Sequence, residues 1–85
     1  MEAIDPKLWG YLELEFGRGK KTYLRRLIDR WLVEDGPVFY DRNVIFVRWA
    51  DDSRENVMVA CGVFELPEAR MSVAEFRALV LGLAR

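Results

Sequence analysis

The stretch PKLWGYLELEFGRG, residues 6–19, decides the fold. Asp5 stands just before it, and Asp followed by Pro is a sound helix start. The Asp side chain caps free amides, and Pro tolerates the first helical position. A helix begun there would run to Gly17. Its second half, YLELEF, also alternates apolar and acidic residues, which is the period of a strand. Gly10 weakens the helix, because glycine costs about 1 kcal/mol relative to alanine in a helix interior. As a helix, the stretch makes the chain open α–α; as a strand, it makes the chain open β–α. Both readings stand on these residues alone.

Outward from this stretch the signals are firmer. Residues 20–34 place Tyr23, Leu24, Leu27, Ile28 and Trp31 on one helical face, and Gly36-Pro37 supplies the stop. Three apolar runs follow: PVFY (37–40), VIFVRW (44–49) and VMVACGVF (57–64), separated by a turn at 41–43 and the polar loop ADDSREN. Their Val, Ile, Phe and Trp favour strands, and the short connections imply an antiparallel meander. These strands are apolar on both faces, with Ile45, Val47 and Trp49 on one and Val44 and Phe46 on the other. Ser72-Val-Ala-Glu75 is a capping box that opens a last helix to about Leu83, with Val73, Phe76, Val80 and Leu83 as its apolar stripe. The expectation is one α+β domain over residues 1–85: two N-terminal helices (the first with a strand as its alternative), a three-stranded antiparallel meander and a C-terminal helix.

Composition narrows the function. A chain of 85 residues is one domain with a thin core, burying only about 60–65% of its unfolded surface. Cys61 is the single cysteine, so an internal disulfide is excluded, and it reads as a small buried hydrophobe. No apolar run approaches the ~20 residues of a membrane span, and no signal peptide is visible, so the expected location is cytoplasmic. Histidine is absent, which excludes the common zinc sites and any Ser-His-Asp or Cys-His arrangement. GRGKKT lacks the glycine and the Ser/Thr that a P-loop requires at their positions. Asp51, Asp52 and Glu55 lack calcium-loop spacing and read as a solvated hairpin tip. No cofactor, no metal and no catalytic residue is expected.

The net charge of −1 conceals a dipolar chain. Residues 18–30 carry Arg18, Lys20, Lys21, Arg25, Arg26 and Arg30 against Asp29 alone, a balance of +5, whereas residues 31–75 set nine acids against four arginines. Lys20 and Lys21 stand at the N-terminus of the second helix and Glu34 and Asp35 at its C-terminus, the reverse of what the helix dipole favours. Local stability does not explain that placement; an anion would. The candidate nucleic-acid contacts are Arg18, Lys20, Lys21, Thr22, Arg25 and Arg26, with Arg54 at the tip of the second hairpin. The alternative is a solvated helix face on a protein–protein adaptor or inhibitor. An isoelectric point near 5.4 favours that alternative, since nucleic-acid-binding domains are usually basic.

Helix, glycine turn, basic helix and hairpin over residues 6–64 resemble, in element order, a winged helix-turn-helix with one helix rather than two before the reading helix. The resemblance implies DNA binding and transcription regulation, with the hairpin as wing. Two helices followed by a meander are also loosely similar to the RNA-cleaving toxins of the RelE kind, which would imply roles for Tyr40, Arg48 and Arg54. Finally, the surplus of apolar residues predicts a homodimer. It would form through the sheet face bearing Val44, Phe46, Met58 and Phe64, or through the small-residue ridge Ala74, Ala78 and Gly82.

Overall fold

A computed structural model describes residues 3–33, 44–85 and the backbone of 38–42. The opening stretch is a helix, α1 (Pro6–Phe16). The Asp5 carboxylate accepts from the amides of Lys7 at 2.9 Å and Leu8 at 3.3 Å, as the Asp-Pro start implied. The strand alternative fails because the apolar residues that matter are spaced by four. Leu8, Leu12 and Phe16 are buried, while Leu14, which a strand would have turned to the same side as Leu12, is 54% exposed.

α2 (Lys21–Val33) follows after a short turn, then β1 (Val38–Arg42), β2 (Ile45–Trp49), β3 (Asn56–Cys61), β4 (Ala69–Ser72) and α3 (Val73–Leu83). The α+β class, the helices and the expected meander are all present. The meander is extended by a fourth strand, β4, beyond the three expected. β4 pairs with β3 through Val59↔Ala69 and Val57↔Met71, giving an antiparallel sheet of order β1-β2-β3-β4. Its last residue, Ser72, is also the N-cap of α3, and the capping box with Glu75 forms in both directions at 3.0 Å. The expected strand over 57–64 ends at Cys61, and Gly62 onward is a loop. The expected helix stop at Gly36-Pro37 and the acids Glu34 and Asp35 lie outside the described residues.

All three helices lie over one face of the sheet. Ile45, Val47, Val57, Val59, Ala69 and Met71 point into that face and are buried with Leu8, Leu12, Phe16, Ile28, Phe76 and Val80. Phe16 and Phe76 meet edge-on with centroids 6.0 Å apart, tying α1 to α3. Trp49 and Cys61 pack at the margin of this core, so Cys61 is half-buried rather than fully enclosed, and its sulfur accepts from the Phe64 amide at 3.4 Å. The opposite sheet face carries Phe46, Arg48, Met58, Ala60 and Arg70, and no described helix covers it.

Candidate nucleic-acid interface

α2 forms because Leu24, Ile28 and Trp31 recur at four and three residues and bury one stripe. That stripe is narrower than the sequence implied. Tyr23, expected on the apolar face, is 55% exposed, and Leu27 is half-buried beside it. The reason is angular: Tyr23 lies about 100° from Leu24 around the helix, at the edge of the arc that the sheet and α3 can cover.

α2 packs antiparallel along α3. Two contacts fix the register. The Lys21 amide donates to the Arg85 carbonyl oxygen at 2.8 Å, and the Asp29 carboxylate pairs with the Arg77 guanidinium at 2.6 Å. The Arg85 amide in turn donates to the Gly19 carbonyl at 2.9 Å, so the second residue after α3 is clamped across the turn that starts α2. This differs from a helix-turn-helix pair, in which the reading helix packs across the helix before it: here α3 is the main helical neighbour of α2.

The clamp changes the expected chemistry of the site. A phosphate at the helix N-terminus was to be held partly by free amides, yet the first of these, on Lys21, is already satisfied by Arg85. The amides of Thr22 and Tyr23 remain at the helix start, and beside them side-chain charge. Arg18, Lys20, Lys21, Thr22, Arg25 and Arg26 are all exposed, and the four lysines and arginines from Lys20 to Arg26 form no ion pair among the described residues. Asp29 is the one acid within α2, and Arg77 draws it toward α3. Arg85 and Arg77 were invisible as site residues in the sequence, because only the antiparallel register brings them beside residues 19–29. Tyr23, Arg26, Leu27 and Arg30 line a shallow cavity of about 250 Å³.

The other candidates fall elsewhere. Arg54 sits in the β2–β3 loop with a left-handed backbone, φ 60°, and its guanidinium lies 5.3 Å over the Trp49 ring. Arg48 pairs with Glu68 at 2.8 Å, and the side chain of Tyr40 lies outside the described residues. Asp51 caps its own loop: its carboxylate accepts from the Ser53 hydroxyl and amide and pairs with Arg70 at 3.2 Å. The Ser53 hydroxyl, then the Ser53 amide and Arg70, hold the Asp51 carboxyl below the usual range. Of the four residues expected on the spare sheet face, Phe46 and Met58 are there. Val44 instead packs on the core, and Phe64 stacks on Tyr11 of α1 with centroids 5.8 Å apart. Ala74, Ala78 and Gly82 are exposed on α3.

Comparison with protein-family models, with characterised proteins and with solved structures finds no match to this chain. Among the described residues no helix is long and apolar enough to cross a membrane.

Proposed function

We propose that this chain is a small, non-catalytic, cytoplasmic module that binds nucleic acid, DNA in the first instance, through the basic surface of α2. The observation that carries the reading is the arrangement of charge around Asp29. Lys20, Lys21, Arg25 and Arg26 stand exposed, and the acid best placed to neutralise them is engaged by Arg77. Four cations at the start of and along one short helix, without acid partners among the described residues, form a surface complementary to a phosphate backbone. Arg18, Thr22 and Arg85 extend it at the helix start.

The test is a mobility shift on duplex DNA and RNA at low salt. Affinity in the range of about 1–100 μM is expected, with about four phosphate contacts giving a log–log salt slope of about −3 to −4. Arg25→Glu combined with Arg26→Glu abolishes binding and leaves the circular dichroism spectrum unchanged. A wild-type chain that shifts neither nucleic acid at low salt refutes the reading.

A second reading has its own support. Phe46, Met58 and Ala60 form an apolar strip on the sheet face that no described helix covers, and a second copy of the chain is the simplest self-complementary partner for it. A protein adaptor or inhibitor would use the same strip. Its association would respond weakly to salt, whereas that of the basic helix would respond steeply.

A further inference from the structure

We infer that the cleft formed by Tyr23, Arg26, Leu27 and Arg30 seats one unpaired base of a single-stranded nucleic acid. This rests on the reading of α2 as the nucleic-acid surface and adds to it which form of nucleic acid is held. Tyr23 is a large aromatic side chain left 55% exposed, outside the hydrophobic core cluster. Leu27, four residues on and half-buried, gives the cleft an apolar floor. Arg26 and Arg30 stand one helical turn apart, about 6 Å along the axis, and line the same cleft.

An exposed aromatic ring that shares a cleft with arginine side chains matches one chemistry in particular. Single strands are bound by stacking a base on an aromatic ring while cations follow the backbone. The cavity, about 250 Å³, lies below the ~300–1,000 Å³ of pockets that enclose drug-sized ligands, so it suits a single ring system. In a duplex the base faces are already stacked on one another, and Tyr23 would have nothing to cover.

The experiment measures fluorescence anisotropy at low salt with three labelled probes: a short single strand, its duplex, and a single strand of the same length with the bases removed. Wild type binds the single strand more tightly than either other probe. Tyr23→Ala weakens single-strand binding about 5- to 150-fold, the range for loss of one stacked base, and changes duplex and base-free binding by less than about 2-fold. Tyr23→Phe retains the stack and the affinity. If all three probes bind and Tyr23→Ala affects none of them differently, the base seat is wrong while the basic-helix reading stands. If no probe binds, both fall.

Discussion

Replacing Gly10 by alanine places one methyl group on α1 where, apart from the adjacent helix backbone, no atom lies within 4 Å, so no packed neighbour opposes it. The same replacement at Gly19 places the methyl carbon 2.7 Å from Leu24 Cδ1, 3.0 Å from Cγ and 3.4 Å from Cδ2. At Gly10 only backbone entropy and helix propensity act, and both favour alanine, by about 0.5–1 kcal/mol. For a domain of this size that raises Tm by about 2–8 °C. At Gly19 the neighbour is the end of a side chain, which can in principle rotate. Leu24, however, is buried against Ile28 and Trp31, and the Gly19 carbonyl is held by the Arg85 amide. Overpacking of this kind costs about 1–3 kcal/mol, or a fall in Tm of about 4–24 °C. Thermal and urea denaturation followed by far-UV circular dichroism measures both. Shifts of the same sign, or a Gly10→Ala variant less stable than wild type, would refute the assignment of α1 as an open helix and of Gly19 as the packed turn.

Ser72→Ala removes the hydroxyl half of the α3 capping box and is expected to cost about 0.5–2 kcal/mol in urea denaturation. The Ser72 amide, donating to Glu75, holds that carboxyl below its usual range, so its contribution is present at neutral pH and is lost as pH falls through the carboxylate range below about 4; Asp51 acts in the same direction. A wild-type unfolding midpoint that rises as pH falls from about 5 to about 3, across the usual carboxylate range, would contradict this. Asp29→Asn deletes the acid nearest the basic surface and is expected to tighten nucleic-acid binding about 2- to 5-fold at low salt, while changing stability by less than about 1 kcal/mol, since the pair with Arg77 is half-exposed. Sedimentation equilibrium tests the uncovered sheet strip: a dimer that Phe46→Lys dissociates is expected, and a single 10.0 kDa species at high concentration would remove the self-association reading.

The helices and the first three strands were legible because their signals are local. Asp5-Pro6 and Ser72 through Glu75 are caps that act within one turn, and residues 45–49 and 57–61 are dense in β-branched and aromatic side chains. The ambiguity over residues 6–16 was real, since Leu12, Leu14 and Phe16 satisfy a strand and Leu8, Leu12 and Phe16 satisfy a helix equally well. Only burial by the sheet and α3 selects the second set. β4 was missed because it is four residues long, offers just Ala69 and Met71 to the core, and ends in a residue whose stronger signal is the helix cap. The long-range part of the candidate site was not legible at all. Nothing local to Arg77 or Arg85 announces a partner in α2, and Tyr23 reads as apolar until the width of the covered arc is known.

That register also decides what kind of anion site α2 can be. An N-terminus with free amides binds a phosphate at a fixed point and in a fixed direction, because the donors are rigid. Here Arg85 occupies the Lys21 amide, and Lys20, Lys21, Arg25 and Arg26 hold their charges on flexible side chains. Such charges follow a backbone without fixing its sequence or register. Any discrimination among nucleic acids must then come from a rigid group with a directional face. On α2 that group is the Tyr23 ring, which shares its cleft with Arg26, Leu27 and Arg30. On the proposed reading, affinity and selectivity are therefore separable on this helix: the lysines and arginines would set how steeply binding falls with salt, and Tyr23 would set the preference for single strands over duplex.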